Sequence, residues 1–226
     1  YVVPYNSLNL LPEYIQSYEF GYIRELKKGT FSSEFYFRNI QNMRQRIQEV
    51  YDVNGIVKRP VNAGVSQSFG GEFTLSKKVM DWWSFDLGLN LFFYKVIGDS
   101  IISSLNQESF TYRGRLSNSF ILPRDFKIQL ITNFIADVVT VQGIDKGYTT
   151  FDLAIKKDFS DGRASATFQF SNFLASERRE TIVDTPSLYS YRLATPRWPF
   201  VSLSLSIRLN NFNNQDKIKT EKGSEF

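Results

Sequence analysis

The chain of 226 residues contains no cysteine and no histidine. The first absence excludes disulfide frameworks, thiolate metal sites and cysteine nucleophiles. The second removes imidazole, and with it the base on which most hydrolytic triads and dyads depend. A carboxylate pair such as Glu19 and Glu34 is the acid/base option left, and nothing in the spacing of the acidic residues singles it out. We therefore expect no catalytic residue, no metal ligand set, no cofactor and no enzymatic activity in this chain.

Long hydrophobic runs are missing too. The longest apolar stretch, near residues 89–94, falls far short of the roughly 18 residues that a helical membrane span requires. No Pro/Gly/Ser-rich linker divides the chain, which reads as one unit. The opening Tyr1-Val2-Val3-Pro4-Tyr5 lacks the basic start and apolar segment of a signal peptide, which an exported protein would already have lost. The formal net charge is only +4, and the basic residues are dispersed through turns and one strand face. Without a basic patch carrying stacking aromatics, nucleic acid is not an expected partner.

Aromatic residues are abundant, with 21 Phe and 12 Tyr, yet charged residues still make up 22% and the mean hydropathy is slightly negative. Apolar and polar residues that alternate, rather than segregate into blocks, produce that combination. Trp83-Ser84-Phe85-Asp86-Leu87-Gly88-Leu89-Asn90-Leu91 shows the period. Its odd positions are apolar and its even positions polar or small, as in a strand between oil and water. The same period recurs in segments 14–26, 31–38, 61–75, 110–122, 126–136, 148–157, 164–173 and 201–209. Most reach the ~9–11 residues of a tilted membrane strand.

Connections alternate in length. Short turns fall at 27–30, 77–82, 123–125 and 160–162, and longer polar loops near 52–59, 98–109, 137–147 and 175–196. Short periplasmic turns and long outer loops are the pattern of outer-membrane barrels. The expected fold is thus all-β: an antiparallel transmembrane β-barrel, of which this chain supplies about nine strands over residues 1–209. The first strand would run inward, and strands from a preceding segment or a partner would close the barrel. Residues 210–226, rich in lysine and acidic side chains, are expected to be a polar periplasmic tail. Ile40, Met43, Ile47, Val50 and Tyr51 fall at helical spacing, so a surface helix over 39–51 is an option beside a long hairpin above the membrane; the flanking strands favour the hairpin.

Assigning each polar strand face to the lumen gives Glu19, Glu25, Glu34, Glu72, Asp86 and Asp152 against Arg38, Arg113, Arg115, Lys127, Lys156 and Arg208. The mixed signs suit a wall that contacts a polar plug better than an open pore selective for one sign; a solvated wall with no specific role is the bland reading. Arg113 and Arg115, two residues apart, could converge on an anion, although ordinary ion pairing explains them as well. Tyr14, Tyr22, Trp82, Trp83, Tyr112, Tyr148 and Trp198 lie near strand ends, where aromatic girdles meet the membrane interface.

Leu11-Pro12-Glu13, then Tyr18-Glu19-Phe20-Gly21-Tyr22, a turn, and Phe35-Tyr36-Phe37-Arg38 resemble the L-x-P-E, E-hydrophobic-G-Y and F-Y-R signature of TonB-dependent receptors. The layout over nearly the whole chain resembles the related outer-membrane barrel family of Bacteroidota. That resemblance implies a barrel of 22 strands, of which these are the last, around an N-terminal plug that lies outside this sequence. It also implies a place in the Gram-negative outer membrane and uptake of a scarce nutrient, such as a metal chelate, cofactor or glycan. The implied partners are membrane lipid, the missing strands and plug, the TonB complex through the plug, and an outer-membrane lipoprotein. The reading from a different class is a structural or accessory barrel in an assembly or secretion complex, without transport of its own.

Overall fold

A computed structural model describes residues 2–4, 10–52, 55–98, 106–159, 162–196 and 200–209. Among the described residues there are strands and no helix. In chain order they are β1 (Val2–Pro4), β2 (Tyr14–Leu26), β3 (Gly29–Gln41), β4 (Arg44–Asp52), β5 (Gly55–Asn62), β6 (Gly64–Met80), β7 (Trp83–Gly98) and β8 (Gln107–Leu122). There follow β9 (Phe126–Ile135), β10 (Val138–Thr140), β11 (Gly143–Asp145), β12 (Tyr148–Phe159), β13 (Ala164–Ser171), β14 (Arg179–Thr185), β15 (Leu188–Ala194) and β16 (Phe200–Ile207).

Nine of these form one sheet in the order β16-β13-β12-β9-β8-β7-β6-β3-β2. Each strand pairs antiparallel with its neighbour along this series, so the sheet is a meander whose strands are those the alternation predicts. Its short connections all fall at one end: Lys27-Lys28, Asp81-Trp82 and Pro123-Arg124-Asp125, with the partly described turn after β12. Arg124 and Asp125 take positive φ (64° and 60°) to close the tight β8–β9 link. Val79 is the extra residue of a bulge between Lys78 and Met80, which face Ser84 and Trp83, at the same end.

The other end carries the long loops, which fold into two small sheets, β1-β5-β4 and β10-β11-β14-β15. The segment with helical spacing is therefore the β4–β5 hairpin, as the flanking strands suggested. Met43 and Ile47 recur at that spacing because both enter a buried cluster with Ala63, Val96 and Val141. The expected strand 61–75 is divided. Val61 belongs to β5, and the chain turns at Ala63 and Gly64, where Gly64 takes φ 115°. A clamp explains the break: Met43 N–H donates to Gly64 O (2.9 Å) and Ala63 N–H to Met43 O (2.6 Å).

Cross-strand partners project to the same side of a sheet, so the register sorts every side chain. One face carries Tyr18, Phe20, Phe35, Phe37, Phe69, Phe73, Leu89, Leu91, Phe93, Phe110, Phe134, Leu153, Phe168, Phe170, Leu203 and Leu205. Phe20 and Leu205 are 72% and 73% exposed, and nothing among the described residues covers this face. A soluble protein does not expose so broad an apolar surface. Along β7 the apolar positions run from Trp83 to Phe93. At ~3.3 Å per residue and a barrel tilt of ~40° that is roughly 25 Å, the height of an outer-membrane apolar band.

Candidate functional site: the polar face of the sheet

The opposite face is the candidate site. The register places Glu19, Glu25, Glu34, Arg38, Glu72, Asp86, Arg113, Arg115, Lys127, Asp152 and Lys156 on this one side. Arg208 continues the alternation of β16, its N–H bonded to Arg163 O. One cross-strand row reads Glu34, Glu72, Asn90, Arg113.

That row is joined to the next by a tyrosine. Tyr36 stands opposite Gly70 and donates its hydroxyl to Asn90 Oδ1 at 3.1 Å, while Asn90 Nδ2 donates to Glu72 at 2.7 Å. A Cβ on Gly70 would come within 2.9 Å of the Tyr36 hydroxyl and 2.5 Å of Leu91 O, so the missing side chain is what allows the crossing. Glu34 faces Glu72 directly, a like-charge pairing that disfavours the sheet unless a cation lies nearby. Among the described residues neither the Glu34 carboxylate nor the Arg113 guanidinium has an ion pair or hydrogen bond.

Several of the other charges on this face have partners, some of them neutral. Arg38 lies 3.7 Å from Glu19, Asp86 accepts from Ser76 at 2.6 Å, and Asp152 accepts the Asn172 N–H at 2.7 Å. Arg115 donates to Asn133 at 3.3 Å. Near the short turns Asp158 holds Lys127 (3.2 Å) and Lys156 (2.9 Å) from two strands.

At the long-loop end this polar face is roofed. Val96 belongs to it and is fully buried under Met43, Ile47 and Val141. Within the roof, Arg59 holds Glu49 by two bonds (2.8 and 2.7 Å), which lowers the Glu49 pKa from its ordinary value. Asp137 accepts the Gly147 N–H (2.8 Å) and Lys146 Nζ (2.6 Å). The backbone donor, followed by the lysine, lowers the Asp137 pKa, and the Asp137 carboxylate in turn raises that of Lys146. No group of His, Cys, Asp and Glu among the described residues could hold a metal ion.

The aromatic residues divide differently from expectation. Tyr14, Tyr22, Trp83 and Tyr112 lie on the apolar face, and Trp82 stacks on Trp83 and Phe120 beside the short turns. Tyr148 does not belong with them. It pairs with Ile135, which pairs with Arg113, so it sits on the polar face, next to Arg179, whose pKa is raised chiefly by Glu177. A period of two fixes which residues share a face only within a strand; β12 enters one position earlier than a girdle tyrosine requires. Trp198 lies outside the described residues. Sequence reading missed the row Tyr18-Phe37-Phe69-Phe93-Phe110. Each of these residues was visible in its own segment, but their alignment depends on pairing between strands.

An antiparallel meander with an uncovered apolar face, a charged opposite face, short turns at one end and folded loops at the other is the wall of a membrane-spanning β-barrel. Residues 5–220 match the Outer membrane protein beta-barrel family, and the chain belongs to it. No curated protein matches the sequence significantly. Two solved structures share the fold. The ferric yersiniabactin uptake receptor FyuA from Yersinia pestis superposes with a TM-score of 0.61 at 14% identity, over 86% of this chain and 30% of its own. The ferripyoverdine receptor of the Pseudomonas aeruginosa outer membrane gives 0.52 at 14% identity, over 87% and 27%. This chain therefore spans less than a third of either receptor, and the likeness is one of fold.

Proposed function

We propose that this chain is part of the barrel wall of an outer-membrane importer of the TonB-dependent kind, with its polar face lining the lumen around a plug. The observation that carries the reading is the sorting of charge by register: charged side chains of both signs gather on one face, and among the described residues Glu34 and Arg113 there have no ion pair. A lumen filled by a polar domain offers counter-charges to both, whereas an open channel selective for one sign needs a biased lining. The short turns would face the periplasm, and the tail at 210–226 would follow β16 there. A ferric or other metal chelate is the favoured cargo class, since both structural neighbours are receptors for such compounds; cobalamin and glycans are the comparison cargoes.

The test is uptake in a strain deleted for the gene, supplied with ferric chelates, cobalamin or glycans, with and without TonB. Loss of growth on one of these that TonB depletion reproduces is the expected result. Undiminished uptake of all three classes, together with loss of an assembly or secretion activity, would replace this reading with that of an accessory barrel.

A further inference from the structure

The apolar face is not uniform. Phe37, Phe69, Phe93 and Phe110 are successive cross-strand partners, and they line a cavity of about 480 Å³ at the long-loop end, a size typical of small-ligand pockets (~300–1,000 Å³). Phe93 and Phe110 approach to 5.0 Å between ring centroids. The next row out is polar: Gln16, Asn39, Gln67, Lys95 and Glu108 are again successive partners. Gln67, Lys95 and Glu108 form the rim of the notch. Gln67 donates to Asn39 at 3.3 Å. Lys95 stands 3.6 Å from Glu108, with their side chains 49% and 77% exposed.

An occupant of this notch needs an apolar body among the four rings and a polar head at the boundary. So loose and exposed an ion pair contributes little, which leaves the ammonium of Lys95 available to an anion, while a hydroxyl or ammonium on the same head group would answer Glu108. The flat face of a second copy would span the concavity without filling it. A single lipid chain fits it. We propose that the notch is a binding site for one phosphate-bearing membrane lipid, an acyl chain seated between Phe37, Phe69, Phe93 and Phe110 and the phosphate held by Lys95. This rests on the reading of the apolar face as the one that meets hydrocarbon.

The test uses the full-length protein with every tryptophan, Trp82, Trp83 and Trp198 among them, changed to Phe, and one reporter at a time: Phe110→Trp in the notch or Leu130→Trp on the apolar face outside it. Quenching is titrated with brominated-chain phosphatidylglycerol, and with brominated-chain diacylglycerol as the uncharged comparison. We expect the notch reporter to half-quench at a lower mole fraction of phosphatidylglycerol than the outer reporter, and Lys95→Gln to raise that mole fraction about two- to fivefold. Identical titrations of the two reporters would overturn the site. A notch reporter left unquenched while the outer one responds would also overturn it, by showing protein over the notch. If neither responds, the hydrocarbon reading of the whole face fails with it. Native mass spectrometry of the protein with its own tryptophans gives an independent readout: one retained phosphatidylglycerol, lost in Lys95→Gln, is expected, and equal retention by that variant would overturn the proposal.

Discussion

A single side-chain amide satisfies both backbone groups of Gln48. Gln142 Oε1 accepts the Gln48 N–H at 2.7 Å, and Gln142 Nε2 donates to Gln48 O at 2.9 Å. The two residues come from different loops and meet above the polar face, where Ile47 and Val141 are both buried. Gln142 thus extends the edge of β4 as a further strand would. Replacing it with Leu leaves an N–H and a C=O unpaired in a partly closed site, at a cost of about 1–3 kcal/mol to the union of the loops. Hydrogen exchange at the Gln48 amide should accelerate at least tenfold in Gln142→Leu while amides of β7 and β8 stay unchanged. An unaltered Gln48 amide would show that the loops are held by the apolar cluster alone.

Leu89 and Asn90 are neighbours on opposite faces. Leu89 pairs with Phe73 and Gly114 on the apolar side, and Asn90 with Glu72 and Arg113 on the polar side. An arginine at Leu89, near the middle of the apolar band, should destabilise the barrel by about 2–4 kcal/mol. At Asn90 it gives up the Tyr36 bond and stands between Glu72 and Arg113, whose opposite charges offset, for a net cost of about 1 kcal/mol. Folding titrations into lipid vesicles check the difference. A larger cost at Asn90 would reverse the two faces and with them every lumen assignment.

Two glycines should respond unequally to the same methyl group. At Gly70 an added Cβ would meet backbone, Leu91 O at 2.5 Å, whereas at Gly114 it would meet the outer edge of the Phe134 ring. A ring on the uncovered face can swing aside; a paired strand cannot. Gly70→Ala should therefore cost about 1–3 kcal/mol, and Gly114→Ala less than about 1 kcal/mol. Unfolding of the two variants in the same detergent ranks them, and the reverse order would contradict the packing described.

The roof should loosen in acid before the sheet does. Glu49 and Asp137 have folded pKa values below their ordinary 4.5 and 3.8. Each stabilises the folded loop fully above its unfolded pKa, and that contribution is lost as pH falls through the lower folded value. This chain has no cysteine, so in a full-length protein cleared of any cysteine outside it a nitroxide on Arg46→Cys in the β4–β5 hairpin reports the loop alone. Its mobility should rise only below about pH 4.5, and Glu49→Gln should produce part of that rise at neutral pH. Constant mobility down to pH 3 would assign the roof entirely to its apolar contacts.

Much of this architecture follows from alternation that needs only one strand to be seen. A period of two commits each segment to an apolar and a polar side wherever it pairs, so the nine-strand meander, the order of short and long connections and the shared face of Glu34, Arg38, Glu72, Asp86, Arg113 and Lys156 were legible in the residues. Relations between strands were not. Which phenylalanines align into a row and a notch, which side Tyr148 takes, and that Gly70 lies under Tyr36 depend on inter-strand register, and no local period encodes it. The roof is less legible still. Met43, Ile47, Ala63, Val96 and Val141 come from four separate stretches of chain with no common pattern, and they become a core only when the loops fold back over the polar face and exclude water from it.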